Sequence, residues 1–355
     1  GTLQGLHYTG LGNDSFTFTN GGFHTVINDG GDDFIQANAP GDFVVYALGG
    51  NNRVFLAGGS HVVSTGAGND QIDVGSGNSF IDAGGGNNAI NASAGLAQVG
   101  DYVIHTGDGV DFIGWSGAVS GRMHGNMIIR GGDGHKRIYT GDGDYDVELG
   151  ANTLTQFGAT LVELGAGNSI VRTGDGDHSI TIGAGTHTIN TGLVGNDAVL
   201  LGSGNSTADL GGGNNQFNNA GTAAVGNFAI TVGDGIDQLG WSGAVSGRMR
   251  GNMTIRGGDG HKQIYAGDGS YDIELGGNTI TTLGATVVNL GAGDSTITTG
   301  GSDTFNAGAG DDVLLIDASD LQSNIHAGAG TDIAQVIGDQ GVTLNLTQAE
   351  VEIAQ

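Results

Sequence analysis

The stretch HSITIGAGTHTINTGLVGND, residues 178–197, decides how the chain folds. Two short runs, SITI and TINT, alternate apolar and polar residues, and each is followed by glycine-rich sequence. Alternation at a period of two marks a strand with one buried face, and the glycines mark tight turns. The step from one strand to the next is nine residues, and only some of the turns carry an Asp. The same spacing recurs elsewhere, in the apolar pairs Ile72 and Val74, Ile81 and Ala83, Val162 and Leu164, and Ala208 and Leu210. One nine-residue step cannot enclose a core. Two steps can: strand, turn, strand, turn closes a coil of about 18 residues, and coils stack at the strand spacing of ~4.8 Å. The expected fold is all-β, a right-handed parallel β-roll or β-helix, with a thin apolar sandwich as core and stability summed over neighbouring coils.

Composition agrees. Of 355 residues 74 are Gly, one is Pro and none is Cys, yet 37% are hydrophobic. Collagen needs a three-residue period rich in Pro, and disorder needs little apolar content, so neither fits. Without Cys there are no disulfides or thiolate metal sites. The net charge is −27, and only five of the 37 acidic residues are Glu. Asp prefers turns, where its short carboxylate reaches backbone or a cation. Nucleic acid and anionic membranes would be repelled. No apolar run approaches a membrane span. The chain opens without a signal peptide, and both ends break off inside the repeat, which reads as a piece of a longer protein.

A larger duplication overlies the small one. Residues 107–149 return at 233–275, identical at 34 of 43 positions, an offset of 126 that preserves the nine-residue phase. The division expected is 1–60 as N-terminal coils, 61–186 and 187–312 as the two large repeats, and 313–355 as a closing segment, in one continuous solenoid.

The runs GAGNDQIDV (66–74), GAGDDVLLI (308–316) and GLGNDSFTF (10–18) resemble the nonapeptide repeats of the RTX family, bacterial proteins exported by type I secretion whose β-rolls bind calcium in their turns. The resemblance implies a secreted or cell-surface location and calcium held between neighbouring coils by the turn aspartates. The matching positions are Asp14, Asp33, Asp70, Asp111, Asp197, Asp237, Asp303, Asp312 and Asp332. Elsewhere the position holds Ser79, Ser169, Ser206, Ser295, Asn88, Asn215, Lys136, Lys262, Tyr145, Tyr271 or His187, so calcium is not expected in every turn. Coil length pairs Asp14 with Asp33, Asp312 with Asp332, Asp70 with Asn88 and Asp197 with Asn215. A second set sits between glycines (Asp108, Asp133, Asp142, Asp175, Asp234, Asp259 and Asp268) and reads either as solvated turn residues or as variant cation sites. The turn Asn residues read as stacked ladders.

Two further features stand out. GWSGAVSGRMHGNMIIRGG and its copy interrupt the step and are expected to protrude, carrying the chain's two Trp, Trp115 and Trp241. They serve either as local caps or as docking surfaces for polysaccharide or a neighbouring copy. GDGHKRIYTGDGDYD holds His135, Lys136, Arg137, Tyr139 and Tyr145, residue types a polysaccharide lyase or uronate epimerase would use. His135 and Lys136 fall in a tight turn, where exposed polar residues are expected anyway. The function expected is a calcium-binding structural or adhesive segment; the alternative is a polysaccharide-modifying enzyme or its carbohydrate-binding accessory module.

Overall fold

A computed structural model describes residues 4–91, 98–219, 221, 223–280, 285–301, 303–316, 324–337 and 353–354. The chain divides into two compact units, 1–183 and 184–355. Each is a β-solenoid of parallel strands.

In unit 1, strands belong alternately to two sheets, and each pairs with the strand two further along the chain. Asp42–Ala47 of one sheet pairs with His61–Ser64 and that with Ser79–Asp82; Arg53–Leu56 of the other pairs with Gln71–Val74. Inward residues follow the period of two. Val45, Val63, Ile81 and Ile104 from one sheet, and Val54, Ile72, Ile90 and Ile113 from the other, are all fully buried. Branched side chains suit this pleated interior, and each contributes roughly 1.5–3 kcal/mol by burial. Every coil therefore adds its own layer to the core.

The turns depend on glycine because coils stack closely. Gly68 has φ +148°, and a Cβ there would run into the carbonyl of Gly50 in the preceding coil. Coil length is less regular than the sequence suggests. Equivalent turn residues are 18 or 19 apart between Asp14 and Asn88, then 23, 25 and 24 apart further on. The extra residues sit in the turns, so strand register is kept. One insertion holds the 3₁₀ turn Thr155–Phe157; another holds Trp115 and the 3₁₀ turn Val119–Gly121.

Unit 2 repeats the plan. One sheet runs through His187–Asn190, Ser206–Asp209, Phe228–Val232 and onward; the other through Ala198–Leu201, Gln216–Phe217, Gly235–Leu239 and onward. The expected closing segment lies mostly outside the described residues, although Ile353–Ala354 pairs in parallel with Ile333–Ala334. Among the described residues no helix is long and apolar enough to cross a membrane.

Candidate cation sites in the turn ladders

Many turns present two adjacent Asn or Asp side chains that hydrogen-bond to the neighbouring coils in opposite directions. In unit 1 the inner residue accepts from the previous coil: the amide N–H of Asp14 donates to Asp33 Oδ1 (2.9 Å), Asp33 to Asn52 Oδ1 (3.1 Å), Asn52 to Asp70 Oδ1 (2.7 Å), Asp70 to Asn88 Oδ1 (3.1 Å) and Asn88 to Asp111 Oδ1 (3.0 Å). The outer residue accepts from the next coil: Asp32 N–H donates to Asn13 Oδ1 (2.8 Å), Asn51 to Asp32 Oδ1 (2.7 Å) and Asn69 to Asn51 Oδ1 (2.9 Å). A short side chain with a terminal oxygen reaches across this gap. An amide and a carboxylate serve equally well for that bond, which is why Asn and Asp interchange.

The aspartates between glycines do the same work. Asp133 N–H donates to Asp108 Oδ1 (2.8 Å), Ala151 to Asp133 Oδ1 (2.9 Å), Ala166 to Asp142 Oδ1 (2.8 Å) and Asp259 to Asp234 Oδ1 (2.7 Å). Their ladder bonds account for their position without a cation.

What differs from turn to turn is the group filling its interior, where backbone carbonyls converge. Asn52 places Nδ2 near the carbonyl oxygens of Ala47 (3.0 Å), Gly49 (3.3 Å) and Gly50 (3.4 Å). On the opposite edge His61 Nε2 lies 2.8 Å from the Ala57 carbonyl, and the hydroxyls of Tyr145 and Tyr271 donate to Gly141 and Gly267. An ionised Asp has no proton to offer. Asp33 is 2% exposed and Asp312 fully buried, and in both Oδ2 has no hydrogen-bond partner. Beside the Asp33 turn, at the end of the strand leading into it, Asn28 is also fully buried with both amide atoms unpaired. Thr191 holds the corresponding place in unit 2, and its hydroxyl reaches Asp197 Oδ2 at 2.6 Å.

These environments perturb the acids. Burial raises the pKa of Asp70, offset in part by hydrogen bonds from Asn52 and Thr65. Burial raises Asp237 similarly. Asp312 is pushed up to about 6, chiefly by burial and further by the carboxylate of Asp332, whose Oδ1 accepts the Asp312 N–H at 3.0 Å.

The structure thus gathers Asp14, Asp33, Asp70 and Asp111 along one edge of unit 1, with Asp14 half-buried and the other three buried. In unit 2, Asp197 and Asp237 share one edge with Asp303, while Asp312 and Asp332 occupy the other. The pairs inferred from coil length are neighbours as expected. Asp111 and Asp237 differ from the rest: the oxygen that would face a bound ion meets an ammonium instead, Lys136 Nζ at 2.9 Å and Lys262 Nζ at 2.8 Å. Sequence reading missed this, because Lys136 reads as an exposed turn residue and Lys262 only as a replacement at the equivalent turn position. Both are 1% exposed and belong to strands Gly134–Tyr139 and Gly260–Tyr265.

The other candidate catalytic groups are also structural. His135 is buried, accepts from Arg137 Nε at 3.0 Å and has a pKa lowered chiefly by burial. Tyr145 is buried with its hydroxyl committed to a turn carbonyl. Nor does the Trp115 arm project freely. Its ring lies half-buried over Gly117, and Arg122 fastens the loop through the Gly117 carbonyl (3.0 Å), Glu163 (2.7 Å) and the face of Tyr139 (5.4 Å). Arg248 holds the second arm over Tyr265.

Among the described residues no group of three or more His, Asp or Glu side chains converges as a metal centre, so any cation must draw on turn carbonyls. No family model matches the chain, and no curated protein or solved structure matches it at a significant level.

Proposed function

We propose that this chain is a calcium-binding structural or adhesive segment of a secreted or cell-surface bacterial protein. The observation that carries this reading is the Asp33 turn, where a buried carboxylate oxygen and a buried amide, Asn28, lie without partners. Leaving such groups unsatisfied costs about 1–3 kcal/mol each. A carboxylate oxygen and an amide oxygen, completed by turn carbonyls, suit a hard divalent ion, which takes six to eight oxygens. The Asp312–Asp332 stack has the same need, since two adjoining buried carboxylates repel. The secreted location rests on the repeat resemblance alone.

The test is calorimetric titration of the full chain with calcium, beside thermal melts in calcium and in chelator. At dissociation constants of ~10⁻⁴–10⁻³ M, ~10 mM calcium adds roughly 1.5–3 kcal/mol per site. Asp33→Ala is expected to lower the stoichiometry and Asp133→Ala to leave it unchanged. A melting temperature indifferent to chelator removes calcium from the account.

A further inference from the structure

The chain contains two lysines, Lys136 and Lys262, in equivalent places of the two large repeats. Each ammonium lies inside a cage of oxygens. Lys136 Nζ is 2.9 Å from Asp111 Oδ2 and 3.0 Å from the carbonyl oxygens of Gly107, Gly109 and Asp133. Lys262 Nζ is 2.8 Å from Asp237 Oδ2, 3.0 Å from Gly233 O, 3.1 Å from Gly235 O and 2.9 Å from Asp259 O. Two carbonyls and the carboxylate come from one coil, and the third carbonyl from the next. The side chain enters from the interior, where Thr106 and Gly131 leave room; a Cβ at Gly131 would approach Lys136 Cε to 3.1 Å.

One carboxylate with carbonyls from two successive turns is a donor set for a cation, and here the cation is covalently attached. An ammonium supplies three protons and one positive charge, and accepts nothing. A metal ion in the same cage would meet that charge at contact distance. These two positions therefore do not fit a bound metal, although Asp111 and Asp237 stand where the repeat pattern places a ligand.

We propose that Lys136 and Lys262 are tethered cations that take the place of a bound divalent ion and clamp two coils together without calcium. Only the contrast with the other turns rests on the calcium reading; the clamps themselves do not. In each unit, chelation then loosens the turns around Asp33 or Asp312 and leaves the lysine turns intact. Placement also explains why a chain of net charge −27 spends both lysines in its interior and none on its surface.

The first test uses the unaltered chain. Reductive methylation in chelator, read at each lysine by peptide mass spectrometry, is expected to be at least ~100-fold slower than in denaturant, because modification requires the cage to open. Reaction of either lysine at the denatured rate overturns the proposal. The second test compares Lys136→Met/Lys262→Met with the parent chain by thermal melting and calcium titration. The double variant is expected to melt lower in chelator, to regain stability on adding calcium and to bind up to two more equivalents. Equal melting temperatures in chelator overturn the proposal. Should the double variant fail to fold, single Lys262→Met gives the same comparison in one copy. A parent indifferent to calcium, with slow lysines and destabilised variants, upholds the clamps and rejects the calcium reading; a calcium-responsive parent with fast lysines does the reverse.

Discussion

Replacing Asp312 with Asn should stabilise the protein in chelator at pH 7, and calcium should largely erase that advantage. Asp312 is fully buried; its Oδ1 accepts the Ser295 N–H at 2.9 Å, and its Oδ2 has no partner. Asn keeps the first bond and turns the second oxygen into a donor that can face turn carbonyls, as Asn52 does. The carboxyl pKa rises from 3.8 to about 6 on folding. The folded state therefore holds the proton more tightly, and stability falls as pH rises from about 4 to 6. A tenfold gain in proton affinity is worth about 1.4 kcal/mol, so the ionised group costs about 2–3 kcal/mol at pH 7. Asn removes that cost. In ~10 mM calcium the advantage shrinks toward zero, because the parent gains roughly 1.5–3 kcal/mol from a ligand that Asn replaces with a weaker one. Urea denaturation from pH 4 to 8, with and without calcium, measures both effects. Asp70 and Asp237, also raised by burial, add slopes of the same sign, so the quantity to compare is variant minus parent. If variant and parent share one pH slope in chelator, or if calcium leaves the gap between them unchanged, the reasoning fails.

Gly68→Ala should cost at least about 2 kcal/mol, since it combines strained backbone with a carbonyl collision, whereas Gly85→Ala, with open space around it, should be nearly silent by denaturation. Asn52→Asp should lose about 1–3 kcal/mol in chelator by removing the amide that satisfies its turn, and the loss should shrink in calcium; an equal loss in both solutions would place the effect elsewhere. Trp115→Ala is expected to cost about 1–2 kcal/mol through lost burial over Gly117. Unchanged stability together with weakened self-association or polysaccharide binding would make that arm a docking surface instead.

The sequence alone determined the solenoid, because a nine-residue alternation of glycine turn and short strand has one economical way to bury Ile72, Val74 and their equivalents. It also determined which turn residues become neighbours, such as Asp14 with Asp33 and Asp312 with Asp332, since parallel stacking makes each residue's partner the one a coil away. Local pattern could not say what each side chain does inside the stack. Coil length varies from 17 to 25 residues because insertions enter the turns, where they mostly leave strand register untouched. Arg122 meets Glu163 from 41 residues away, and Lys136 meets Gly107 and Gly109 from 29 and 27 residues away. In a one-letter reading, Lys beside His in a glycine turn is a solvated charge. Stacking decides otherwise: the coil before it supplies a carboxylate and two carbonyls at the spot the ammonium can reach, and that cage outweighs water as its solvent.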